Sequence, residues 1–255
     1  MNEVLVERGD GVLRISINRE DKRNALSAAV LTGLLQALAA PAEERVVVVG
    51  SVGDGAFCSG ADLAIMADDA TGLEQHEARG MLRQVVLAMR ACPVPVVARV
   101  QGLCLAGGTA LAMGADVVLA SSAAQFGLPE VSLGLWPFMV SALLVRHVAP
   151  KHAMDLMLTG ERIDAAAAQR IGMVSRVFPA ESFVAEVDGY VAGIAAKPPL
   201  AVRLGKAAFA AAGESSLEAA LEAMQAQLSL LTTTHDVAEG IAAFFGKRPP
   251  VWQSR

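Results

Sequence analysis

An α/β fold with partly parallel strand pairing is predicted by three features of the sequence. Val46 to Val49 is a continuous β-branched run of the kind that parallel sheets bury on both faces. Strand-like and helix-like segments alternate up to about residue 140, the pattern of a layered α/β unit. From Met139 onward nearly everything except Val174 to Phe178 reads as helix, so a helical region closes the chain.

Each element has its own local reason. Residues 4 to 7 and 12 to 17 alternate apolar and polar around Gly9-Asp10-Gly11, which supplies the turn of a β-hairpin. Ser27 is placed to cap a helix running to about Ala39, before Pro41. After the buried run and the loop GSVGDGAFCSGADL, a helix is predicted from about Glu74 to Arg90, then a buried strand from Pro93 to Val100. Gly107-Gly108 opens a short small-residue helix that leads to a third strand, Asp116 to Ala120. Breaks in the helical remainder fall at Pro150, Gly172, Pro198-Pro199 and Gly213. From Leu217 to Phe245 the chain is alanine-rich and amphipathic, with Leu217, Leu221, Met224, Leu228 and Leu231 at helical spacing. That stripe needs cover, from its own domain or from another subunit.

Composition bounds the function. The chain has 255 residues, 54% hydrophobic and 18% charged, so disorder is excluded and a large core is possible. A formal net charge of −5 without a basic run offers no footprint for nucleic acid or an anionic membrane. The uncharged stretch Leu103 to Ala115 is too short to span a bilayer and is rich in glycine and alanine. The first residues read as a strand and not as a secretory leader, and Cys58, Cys92 and Cys104 form no CxxC pair. A reduced, cytoplasmic protein is the expectation.

The common catalytic motifs are missing. His76, His147, His152 and His235 show no metal-ligand spacing, and no metal is expected. Neither GxGxxG, GxxxxGK nor a Gly-x-Ser-x-Gly elbow occurs, so no nicotinamide, nucleotide or other cofactor is expected. Cys58 reads more readily as a small buried thiol than as a nucleophile. Two glycine loops remain, Ala56 to Leu63 and Gly102 to Gly108, each leading from a strand toward a helix start. Either alone is most simply a tight turn. In tandem they could aim two backbone N–H groups at one oxygen. The third element is Glu130, a lone carboxylate within the apolar segment Gln125 to Pro137. In a dry pocket its pKa would rise and suit it to proton transfer; the competing reading is a helix-terminal or ion-paired glutamate.

These segments, in this order, resemble the crotonase superfamily, also called the enoyl-CoA hydratase/isomerase family. The resemblance covers nearly the whole chain. It includes Asn18-Arg19 through Leu26, Phe57 to Leu63, Val94 to Ala98, Phe126 to Glu130, Leu158 to Ile163 and Glu239 to Phe245. It implies a spiral of ββα units over residues 1–195, a helical region over 196–255 that packs on neighbours in a homotrimer or dimer of trimers, and a coenzyme A thioester as substrate. By position, the N–H groups of Ala61 and Gly107 would form an oxyanion hole with Glu130 as the catalytic acid or base. Lys22, Arg23, Ala25, Ser59, Asp62, Leu63 and Ala64 would line the coenzyme A path, Trp136 and Phe138 the acyl end, and Phe244 and Lys247 the nucleotide end.

Two positions depart from that pattern. Hydratases of the family resemble one another in using two glutamates to hold and deprotonate a water, and where the first should stand, three residues after Gly107, this chain has Ala110. Phe138 occupies a position that is usually glycine and would add bulk near the reacting carbons. A single glutamate suffices to move a proton from C2 to C4, so enoyl-CoA isomerisation is the first expectation. Hydration by Glu130 with a second group, Asp68 and Asp69 being conceivable helpers, is the alternative, and a non-catalytic acyl-CoA-binding protein is a third.

Overall fold

The structure, a computed structural model, describes residues 2–39, 41, 43–62 and 71–254. The expected hairpin forms: β1 (Val4–Gly9) pairs antiparallel with β2 (Val12–Ile17) across Asp10 and Gly11, both at positive φ, as a two-residue hairpin turn requires. Ser27 caps α1 (Ala28–Leu38), its hydroxyl accepting from the Val30 N–H at 3.1 Å. Then come β3 (Val46–Ser51), β4 (Ala56–Cys58) and α2 (Gly72–Ala91). A reciprocal capping box between Thr71 and Glu74 starts α2 slightly earlier than expected. β5 (Val96–Val100), β6 (Leu103–Leu105), α3 (Gly107–Met113), β7 (Val117–Ser121) and β8 (Gln125–Gly127) follow. A 3-10 turn, Pro129–Leu133, precedes α4 (Phe138–His147), α5 (Pro150–Thr159), β9 (Arg162–Asp164), α6 (Ala165–Arg170) and β10 (Arg176–Phe178). The chain closes with α7 (Phe183–Ala195), α8 (Pro199–Ala212), α9 (Leu217–Leu231) and α10 (His235–Phe245).

The strands form two sheets. The larger has the order β1-β2-β3-β5-β7-β10, parallel throughout except at the hairpin. Its centre explains the valine run: Val47 and Val49 face the main core with α1 and α2, whereas Val46 and Val48 face a second core under Phe183, Val187 and Val191 of α7. Period-two alternation with apolar residues on both sides therefore reads as an unbroken run. The smaller sheet, β4-β6-β8-β9, is a correction to the sequence reading, which anticipated none of its strands. At three residues each they are too short to show a period.

The amphipathic stretch Leu217 to Phe245 also divides in two. The hydroxyls of Thr232, Thr233 and Thr234 turn back onto carbonyls three residues earlier, at 2.7 to 2.9 Å, and end α9 before α10 begins. Neither α8 nor α9 contains a buried residue. Lys206 of α8 nevertheless ties that region to the sheet through Asp116 at 2.6 Å and the carbonyls of Met89 and Val94. Among the described residues no helix is long and apolar enough to cross a membrane.

Candidate active site

The smaller sheet assembles the site. β4, β6 and β8 are parallel neighbours, and their C-terminal ends run respectively into Gly60-Ala61, Ala106-Gly107 and Glu130. Segments scattered along the sequence thus arrive side by side, at the end of a parallel sheet where ligands collect.

Peptide geometry sets the direction of each N–H. In a trans peptide the carbonyl of one residue and the N–H of the next point opposite ways. The Gly60 carbonyl accepts from the Leu26 N–H at 2.8 Å, so the Ala61 N–H points away from Leu26. The Asp62 N–H donates back to the Leu26 carbonyl at 3.1 Å and closes a parallel bridge between Leu26 and Ala61. The Ala106 carbonyl accepts from the N–H groups of Thr109 and Ala110, inside the first turn of α3. The Gly107 N–H therefore points out of the helix, one of the donors every helix N-terminus leaves unpaired.

The two groups lie close together. A Cβ built on Gly107 would stand 3.7 Å from the Ala61 nitrogen, which puts the two nitrogens at most about 6 Å apart, a span that one shared acceptor at ordinary hydrogen-bond length can bridge. Two unusual backbone conformations maintain the approach. Gly60 has φ 105°, and any Cβ there would meet the Ala106 Cβ at 2.8 Å. Ala106 itself sits at φ 51° and ψ −123°, a region that costs a residue bearing a Cβ roughly 1–3 kcal/mol. Gly108 is packed so closely on β4 that a Cβ would fall 2.4 Å from the Cys58 carbonyl oxygen.

Glu130 lies in the 3-10 turn beyond β8, half-buried, and its Oε2 is buried without a hydrogen-bond partner. Desolvation pushes its pKa above the ordinary carboxylate value. Among the described residues no salt bridge holds this carboxylate, so the ion-paired reading finds no support, whereas the helix-terminal one holds: Glu130 sits in the first turn of the 3-10 segment. Ala110 is buried in α3, at 1% exposure, and supplies no second acid. Cys58 is inert by the same physics: full burial holds its thiol near a pKa of about 12.

The other expected residues divide into groups. Ser59 and Asp62 flank Ala61; Lys22 and Arg23 are exposed and Ala25 buried on the segment paired with that loop, where the Arg23 carbonyl accepts from the Ser59 N–H at 3.1 Å. Leu63, Ala64, Asp68 and Asp69 lie outside the described residues. Trp136 packs partly against the main core, whereas Phe138, expected to crowd the reacting carbons, is 74% exposed at the start of α4. Phe244 is 79% exposed and Lys247 is also exposed; among the described residues no hydrogen bond or ion pair of either side chain reaches the two loops within one chain.

Sequence reasoning missed the anchors. The Asn24 side chain receives the Arg19 N–H at 3.0 Å and donates to the carbonyls of Val52 and Ala56 at 3.0 and 2.8 Å. The asparagine itself was the usable signal, because that residue is favoured in the left-handed region, where its φ of 55° falls. Arg19 donates to the Ala25 carbonyl and to Asp62, both at 2.9 Å. No local pattern announces a partner 43 residues away.

Known proteins resemble this chain over nearly its whole length. Residues 7–255 match the family described as enoyl-CoA hydratase/isomerase. The 2,3-dehydroadipyl-CoA hydratase of Escherichia coli is 35% identical over 258 residues, covering 100% of both chains. The crotonyl-CoA hydratase of Syntrophomonas wolfei is 36% identical over 250 residues, covering 96% of this chain and 95% of the relative. Among solved structures, the enoyl-CoA hydratase of Mycobacterium smegmatis superposes with a TM-score of 0.94 at 32% identity, covering 99% of each chain.

Proposed function

The chain belongs to the enoyl-CoA hydratase/isomerase family, and on that premise we propose that it isomerises an enoyl-CoA thioester with Glu130 as the only acid–base group. The Glu130 carboxylate takes a proton from C2 of a 3-enoyl thioester, the electron pair moves onto the thioester oxygen, and the resulting dienolate is reprotonated at C4 by the same carboxyl group. Atoms and charge balance, and no water is consumed. The N–H groups of Ala61 and Gly107 receive the developing negative charge; one such donor is typically worth about 3 kcal/mol of barrier.

The observation that carries this reading is the buried Glu130 Oε2 without a hydrogen-bond partner, together with a buried alanine at position 110. Burial raises the basicity of Glu130, as proton abstraction requires, and alanine can neither orient a water nor shuttle its proton. Hydration is the second reading, favoured by the names of the relatives, which are hydratases.

The coenzyme A moiety follows Lys22, Arg23, Ala25, Ser59 and Asp62, and on the same reading Leu63 and Ala64. Phe244 and Lys247 reach it from a neighbouring subunit. Support for assembly as a homotrimer or dimer of trimers comes from the uncovered apolar side chains of Phe209, Leu217, Leu221 and Leu228 on α8 and α9. The setting is cytoplasmic.

Initial rates on one preparation with 3-hexenoyl-CoA and with crotonyl-CoA test the reading. Isomerisation should exceed hydration by about a hundredfold, the usual worth of a positioned acid–base group. Dominant hydration would establish the second reading, and tight acyl-CoA binding with neither turnover would show a binding protein.

A further inference from the structure

Arg19 stands at the head of an uninterrupted chain of peptide groups that ends on one of the two donors. Its Nη1 donates to the Ala25 carbonyl at 2.9 Å. The same peptide unit presents the Leu26 N–H, which donates to the Gly60 carbonyl at 2.8 Å, and the Gly60–Ala61 peptide then presents the Ala61 N–H. Every member of the chain is oriented in one sense. A fixed positive charge at its head polarises each peptide in turn and strengthens the terminal N–H as a donor. The other arm of the guanidinium, Nη2, is held by Asp62 Oδ2 at 2.9 Å, and Nε lies 3.3 Å from Glu3 Oε1. Glu3 in turn accepts from the Ser27 hydroxyl, the cap of α1. The Arg19 side chain is only 14% exposed, so these contacts act in a poorly screened environment.

We infer that Arg19 is a positioning residue for catalysis: its guanidinium aims and polarises the Ala61 N–H through the Ala25–Leu26 and Gly60–Ala61 peptides, with Asp62 as the counter-charge that holds it there. The inference rests on the oxyanion reading of Ala61 and Gly107. It gives Asp62 a task beyond lining the coenzyme A path, because its carboxylate holds the guanidinium in place. Arginine suits the task because one planar fork must grip a carbonyl and a carboxylate at once, and a lysine ammonium offers a single point of charge.

The test pairs kinetics with a spectroscopic readout of the donors. In Arg19→Gln, kcat for 3-hexenoyl-CoA should fall about tenfold, less than the loss of a whole oxyanion donor, with KM within about twofold. Bound hexanoyl-CoA carrying an isotope-labelled thioester carbonyl should show its infrared band shifted down in the wild type and part-way back toward the free value in Arg19→Gln. Arg19→Lys, which keeps the charge and guards against a variant that does not fold, should fall between the two in both measurements. Asp62→Asn should lower kcat, apart from any change in KM at a residue of the coenzyme A path. A wild-type kcat and band position in a folded Arg19 variant, even one of lower melting temperature, would overturn the inference, as would an Asp62→Asn variant with wild-type kcat. A wild-type complex without any band shift would instead remove the oxyanion reading itself, and the inference with it.

Discussion

In the larger sheet, β3, β5 and β7 are covered on both faces and their side chains fill two cores, whereas the smaller sheet consists of three-residue strands, three of which lead on to Gly60, Gly107 and Glu130. The first gains its stability from burial. The second exchanges strand length for close approach: Gly60, Ala106 and Gly108 bring two strand ends together at distances that ordinary side chains would not allow. Both sheets contribute to the core, Phe57, Cys104 and Phe126 included, but only the smaller one leads into the candidate site, so mutations in the two should have different signatures.

The largest contrast is between Gly108→Ala and Val47→Ala. A methyl at Gly108 meets backbone at 2.4 Å, so β4 and α3 must separate, at a cost of about 3 kcal/mol and with loss of activity per folded molecule. Val47→Ala, at 0% exposure, should cost about 2 kcal/mol while kcat per folded molecule stays unchanged. Urea unfolding together with turnover separates them; equal kcat losses would break the division of labour. Next comes Gly60→Ala, strained by roughly 1–3 kcal/mol at φ 105°, for which acyl-CoA turnover should fall more than stability does. Ala106→Gly runs the other way. It relieves the positive φ, offset by greater freedom of the unfolded chain, so the melting temperature should rise by the equivalent of up to about 1 kcal/mol with kcat retained.

The smallest effect concerns pH. Because the folded-state pKa of Glu130 is raised above the ordinary 4.5, the protonated form is favoured in the folded protein. Its contribution to stability is full below the unfolded value and is lost as pH rises through the folded value. The acid limb of kcat should likewise have its midpoint above 4.5, since abstraction needs the carboxylate. Titrating both in wild type and Glu130→Gln checks the sign, because the variant should lose that stability slope.

Much of the larger sheet was legible in the sequence because its signals are local. The turn at Asp10-Gly11, the Ser27 cap and the valine run each carry their own stereochemistry. The smaller sheet was not legible, since β4, β6 and β8 are held by parallel partners distant in sequence and not by a pattern of their own. At the site, Glu130 stood out as a carboxylate in apolar surroundings and the glycine loops by their tandem occurrence. Their convergence depends on β4 lying beside β6. The Arg19–Asp62 pair is a purely tertiary contact: both residues lie in segments that carry the family resemblance, but nothing in either segment announces their pairing.

The most direct test of the single-acid account is Glu130→Gln assayed with 3-hexenoyl-CoA alongside calorimetric binding of hexanoyl-CoA. Removal of a sole acid–base group should lower turnover by about a thousandfold or more, with affinity within a few-fold of wild type. Turnover near the wild-type rate in a variant that still binds would contradict it.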